Sequence, residues 1–200
     1  MPNTSRSDRG RRVANLPNVL TAFRIVLIPV LVVILTSSGR GASVLATLTF
    51  FLACLSDFFD GYLARRWGIS TSLGELLDPL ADKLIVAAAL IMLAGMDRTP
   101  AVPAWMIVVI IGREIAVTGL RAVALGRGVV LAAQELGKYK MVFQMFALHG
   151  LLLHYTFFGI DFHLGGMYFL WISLVVSVWS GIDYHIKVIR QLTRGTVAAS

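Results

Sequence analysis

Four aspartates carry the chemistry that this sequence is equipped to do. Asp57 and Asp60 stand three residues apart, Asp78 and Asp82 stand four apart, and both pairs lie in or beside apolar runs. On a helix, residues at either spacing share a face. Two helices joined by the polar stretch 66–77 and folded back on each other would bring the two carboxylate pairs together. Confined like charges raise one another's pKa, and hard divalent cations with oxygen ligands are the usual compensation. Two cations held by shared carboxylates suit phosphoryl transfer. Gly61 and Gly74 remove side chains where a nucleotide or a phosphate would approach the backbone. Ala64 keeps the same face low, and Arg65 offers a planar fork to a phosphate. Spacing alone leaves a second class open, because intramembrane carboxylates also form cation or proton pathways in transporters.

The elements that must position these residues are helices in lipid. The chain has 200 residues, 57% hydrophobic and only 14% charged, with a mean hydropathy of +0.78. Soluble domains average roughly 45–50% apolar and about 25% charged. The expected fold is all-α, a polytopic membrane protein of six spans at about 20–37, 43–64, 79–96, 101–122, 138–158 and 166–187. Tight turns are expected at 37–43 and 96–101, and a longer loop or interfacial turn at 124–137. Residues 1–14 read as a flexible basic tail, 15–195 as the catalytic domain and 196–200 as a C-terminal tail. The opening residues do not read as a signal peptide, since the apolar run behind them is too long and has no small-residue cleavage site. Ser72 and Glu75 have the spacing of a capping box, and Pro79 alternatively marks a first helical turn.

Charge sets the orientation. Arg6, Arg9, Arg11, Arg12, Arg65, Arg66, Arg127, Lys138, Lys140, Lys187, Arg190 and Arg194 fall at the ends shared by the N-terminus, whereas the opposite turns hold only Arg40 and Arg98. Positive residues favour the cytoplasmic side, so both termini and the aspartates are expected there. A net charge of +7 would suggest nucleic acid in a soluble protein. Here the cations flank apolar runs, so lipid headgroups or phosphorylated substrates are the expected partners and nucleic acid is not. The far halves of the spans carry few ionisable groups, which counts against a transport route.

Arg113 and Arg121 lie eight apart on the fourth span and so share a face, with Glu114 placed to hold an arginine. Lys138 and Lys140 enter the fifth span from the same side. Such cations would suit a phosphorylated acceptor, although the positive-inside bias alone also accounts for them. The four histidines form no metal-ligand spacing, and Cys54, the only cysteine, permits no internal disulfide.

Asp57, Asp60, Gly61, Ala64 and Arg65, then Gly74, Asp78 and Asp82, occupy every defined position of one signature, with eight residues before Gly74 and three before each later aspartate. The chain thereby resembles the CDP-alcohol phosphotransferase family over nearly its whole length. That resemblance implies that the four aspartates arrange two Mg²⁺ or Mn²⁺ ions, with Asp82 also the general base. It implies CDP-diacylglycerol contacts from Asn18, Thr21, Gly61, Ala64, Arg65, Thr71 and Gly74, and a homodimer in the membrane. The run from Asn15 to Arg24, the stretch Leu77–Lys83, Arg113-Glu114-Ile115, Gly119-Leu-Arg121 and Gly137-Lys138-Tyr-Lys140 with Gln144 are similar to the bacterial phosphatidylglycerophosphate synthase branch. In that branch the acceptor is glycerol 3-phosphate, the acceptor-phosphate ligands would be Arg113, Arg121, Lys138 and Lys140, and the location is the bacterial inner membrane. Related branches with an inositol phosphate acceptor, or phosphatidylglycerol itself in cardiolipin synthesis, share parts of these runs.

Overall fold

The computed structural model describes residues 4–67, 72–127 and 135–197, with the side chains of 19–59, 77, 79–127 and 136–191. Among these residues the chain is helical, with α1 (Thr4–Leu35), α2 (Arg40–Trp67), α3 (Ser72–Ala94), α4 (Ala104–Gly126), α5 (Glu135–Leu153) and α6 (Phe162–Val197). The one exception is a small hairpin of β1 (Thr156–Phe157) and β2 (Ile160–Asp161). The chain divides into two compact units, Met1–Met92 and Leu93–Ser200.

In the first unit α1 packs on α2. Thr21, Arg24, Leu27, Leu31 and Leu35 are buried along α1, and Ser43, Ala46, Thr49, Phe50, Ala53 and Ser56 along α2. Both sets recur at three and four residues, the spacing of a single helix face. Gly39 turns the chain between the two helices at φ +118°, a backbone conformation that side chains disfavour. Ser56 donates a hydrogen bond to the Leu20 carbonyl across the pair at 3.4 Å. α1 runs from Thr4, well before residue 20, where the apolar pattern alone starts the first span. α3 begins at Ser72, so Pro79 lies inside the helix and not in its first turn. A proline ring removes one donor and crowds the preceding turn; the helix continues through it to Ala94.

In the second unit α6 packs against both α4 and α5. Val117, Ala124, Tyr184 and Val188 form a buried cluster with Leu120 beside them. The α5–α6 contact is closer than ordinary side chains allow. A Cβ added to Gly166 would stand 2.6 Å from the Leu151 amide nitrogen and 2.9 Å from the Ala147 carbonyl oxygen. One added to Gly150 would meet the Phe162 carbonyl oxygen at 2.7 Å. Small residues permit such backbone approach between helices in lipid. Backbone cannot rotate out of the way, so Gly166→Ala is expected to part α5 from α6 and cost roughly 1–3 kcal/mol. Gly165→Ala, with nothing within 4 Å, serves as its control, and thermal unfolding in detergent compares the two.

The fifth span was expected to reach 158, but α5 ends at Leu153. His154 adopts φ 61°, and Phe158 and Gly159, between the two strands, adopt φ 54° and 79°. Two successive positive φ values make the tight turn that suits a two-residue hairpin. Beneath it Arg98 donates to the Leu151 carbonyl, and His163 Nε2 lies 2.7 Å from the Pro100 carbonyl oxygen. The His154 and His163 rings meet edge to face at 4.7 Å. Burial, and then the neighbouring Arg98 guanidinium, hold His154 below the usual imidazole range.

Among the described residues two helical stretches, Arg40–Phe59 and Phe162–Gln191, are long and apolar enough to cross a membrane, and Val19–Leu35 is a shorter apolar stretch. α3, α4 and α5 carry Asp82 and Lys83, Arg113, Glu114 and Arg121, and Lys138 and Lys140 respectively.

Candidate functional site

Two of the four signature carboxylates have described side chains, and one arginine joins them. Arg24 lies in the buried stripe of α1 with 1% of its surface exposed. Its Nη1 stands 2.5 Å from Oδ1 of Asp82 on α3, and its Nη2 stands 3.2 Å from Oδ1 of Asp57 on α2. The carboxylate side chains are 47% and 43% exposed for Asp57 and Asp82. One guanidinium thus ties all three helices of the first unit together, beneath carboxylates that remain open to solvent.

Asp60 follows Asp57 by one helical turn on α2, and Asp78 precedes Asp82 by one turn on α3. Their side chains, with those of Asn18, Gly61, Ala64, Arg65 and Gly74, lie outside the described residues, as does Thr71 altogether. Among the described residues no group of three or more His, Cys, Asp or Glu forms. The donors that are described fit a divalent cation by their chemistry: hard, solvent-open carboxylate oxygens brought from two helices to one point. Thr21, one turn before Arg24 on α1, is buried.

The second unit also holds a polar cluster. Arg113 donates from Nε to the Ser177 carbonyl at 3.0 Å and from Nη2 to Ser180 Oγ at 2.8 Å, both on α6. Its Nη1 pairs with Glu114 Oε1 at 2.6 Å, and Lys140 Nζ on α5 reaches that same oxygen at 2.6 Å. Gly181 makes room for the arginine, because a Cβ there would meet Arg113 Cγ at 3.1 Å. Arg121 stands over the Tyr184 ring, 5.7 Å from its centroid, a cation–π contact. Lys138 is exposed while Lys140 is buried, since residues two apart point to opposite sides of a helix. The structure therefore gathers Arg113 and Lys140 around Glu114, sets Arg121 on an aromatic face, and leaves Lys138 exposed.

Arg24 is the site residue that the sequence reading passed over, although a signal for it exists. It lies inside the first apolar run, and an ionisable residue there is a functional lead by itself. The aspartates stand on two helices, and the third contributes through a single side chain.

Residues 14–179 match the model of the CDP-alcohol phosphatidyltransferase family. A Bacillus subtilis protein named CDP-diacylglycerol–glycerol-3-phosphate 3-phosphatidyltransferase is 42% identical over 189 residues, covering 86% of this chain and 94% of the relative. Proteins of the same name from Rickettsia typhi and Haemophilus influenzae are 39% and 37% identical, each over 85% of this chain and over 94% and 91% of their own lengths. With paired aspartates on adjoining helices, a family match across most of its length and relatives aligned nearly end to end, the chain belongs to the CDP-alcohol phosphatidyltransferase family.

Proposed function

We propose that this protein transfers the phosphatidyl group of CDP-diacylglycerol to glycerol 3-phosphate, giving phosphatidylglycerol phosphate and CMP in phospholipid biosynthesis. The observation that carries the reading is the meeting of Asp57 and Asp82, from two helices, on one buried arginine at a solvent-open edge. The activity named for its relatives supports the choice of donor and acceptor.

The reaction assigns each residue a task. Asp82 takes the proton from the primary hydroxyl of glycerol 3-phosphate. The freed oxygen attacks the β-phosphorus of CDP-diacylglycerol, its bond to the bridging oxygen breaks, and CMP leaves. Two Mg²⁺ or Mn²⁺ ions held by Asp57, Asp60, Asp78 and Asp82 would supply charge neutralisation on the pyrophosphate and the departing CMP. Asn18, Thr21, Gly61, Ala64, Arg65, Thr71 and Gly74 bind the CDP-diacylglycerol. Arg113, Arg121, Lys138 and Lys140 bind the acceptor phosphate, with Glu114 orienting Arg113 and Lys140.

The same reading makes the chain a six-span protein of the bacterial inner membrane, active as a homodimer, with its termini and active site cytoplasmic. Support comes from large apolar side chains left exposed along the helices: Val33 on α1 at 66%, Val108 on α4 at 70% and Trp179 on α6 at 69%. Such surface suits lipid and would be a liability in water.

The test is CMP release by the purified protein in detergent with CDP-diacylglycerol and Mg²⁺. Glycerol 3-phosphate, inositol phosphate, serine and phosphatidylglycerol are compared as acceptors. Turnover confined to glycerol 3-phosphate is expected. Turnover with another acceptor instead would discard the assignment of the second-unit cations, and failure with all four would discard the reaction.

A further inference from the structure

Arg24 occupies a position that packing alone would fill with leucine. It falls between Thr21 and Leu27 in the buried stripe of α1, and the stripe continues through Leu31 and Leu35. A guanidinium taken from water needs ion pairs or hydrogen bonds in return. Here Nη1 donates a hydrogen bond to Asp82 on α3, and Nη2 makes an ion pair, not a hydrogen bond, with Asp57 on α2 at 3.2 Å. A planar fork can hold two carboxylates at a fixed separation; a lysine ammonium, as a point charge on a flexible stem, cannot hold both so firmly. The arginine is 1% exposed, so the surrounding packing fixes it, while its partners keep close to half of their surface open.

We propose that Arg24 is a positioning residue that holds Asp57 and Asp82 in register, so that divalent cations meet a carboxylate pair already in place. The inference rests on the reading of these aspartates as metal ligands given above. Two effects oppose each other. A fixed cation beside the carboxylates repels a divalent ion, but the half-open carboxylates bring that repulsion under solvent and salt screening. Losing a partner that orients metal-holding side chains typically weakens metal binding by about 10–100-fold. Orientation is therefore the larger effect, and removing the arginine's positive charge weakens cation binding instead of strengthening it.

The experiment measures Mn²⁺ binding to the intact purified chain in detergent, without substrate, from the electron paramagnetic resonance signal of the free ion. Arg24→Gln, Arg24→Lys and Asp57→Asn are compared with the unaltered protein, and thermal unfolding is followed alongside. Arg24→Gln is expected to raise the Kd for Mn²⁺ about 10–100-fold, and Arg24→Lys to raise it less, with both variants folded. Unchanged or tighter binding in Arg24→Gln, with Asp57→Asn weakened, would overturn the proposal and leave the metal reading standing. Loss of folding in both arginine variants would show that Arg24 serves only the helix packing, and would overturn it equally. Binding indifferent to Asp57→Asn would overturn the metal reading and this proposal together.

Discussion

Asp82→Asn is expected to lower CMP release by at least about 1,000-fold while leaving a folded protein. The amide is nearly the shape of the carboxylate, but it accepts no proton at neutral pH and brings no negative charge to a cation. General-base catalysis alone is worth about 10²–10⁴-fold, and the loss of an anionic ligand adds to that. The stability cost is smaller. Arg24 keeps Asp57 at 3.2 Å, and the amide oxygen can still accept from Nη1. Asp82 is 43% exposed, so solvent screens part of the lost attraction, and about 1–2 kcal/mol is the expected scale. Initial rates and unfolding midpoints on the same preparation separate the two. An Asp82 that only braced Arg24 would show the reverse pattern, with stability lost and turnover per folded molecule retained.

Glu114→Gln is expected to have the second-largest effect, and on the acceptor. One carboxylate oxygen serves both Arg113 and Lys140, each at 2.6 Å, and the three side chains are only 25%, 15% and 8% exposed for Glu114, Arg113 and Lys140. Neutralising the acid leaves two cations facing each other with little water. Removing one partner of a buried ion pair costs about 3–5 kcal/mol, and the partial exposure of Glu114 places this case at the lower end. Arg113 retains Ser177 and Ser180 on α6, while Lys140 loses its ion pair to Glu114. In the proposed reaction this raises KM for glycerol 3-phosphate by roughly tenfold or more, which corresponds to about 1.4 kcal/mol of lost binding. KM for CDP-diacylglycerol should change little. Steady-state kinetics with each substrate varied in turn checks the split, and an equal rise in both constants would count against an acceptor role for the cluster.

The helices were legible in the sequence because apolar length and charged ends fix them by simple energetics. Their limits were less so. α1 continues upstream through polar residues, and α3 starts at Ser72, ahead of Pro79. The hairpin at 156–161 was partly hidden by an apolar run, because residues 154–158 read as the end of a span until the positive φ values of His154 and Phe158 show a turn. Asp57 could be paired with Asp60, and Asp78 with Asp82, from spacing, since helical periodicity is local. Arg24 could not be paired with them: its partners lie 33 and 58 residues away, and only packing of three helices sets that contact. The same holds for Lys140, which α5 turns toward Glu114 while Lys138 is exposed. Sequence proximity grouped the two lysines; helical geometry separates them.

The most direct test of the proposed transfer follows the oxygen that forms the new bond. Glycerol 3-phosphate labelled with ¹⁸O in its primary hydroxyl is supplied with CDP-diacylglycerol and Mg²⁺, and both products are analysed by mass spectrometry. Phosphatidylglycerol phosphate is expected to carry the label in the bridging position, and CMP to carry none. A product lacking the label, or CMP released with no lipid product of that mass, would contradict it.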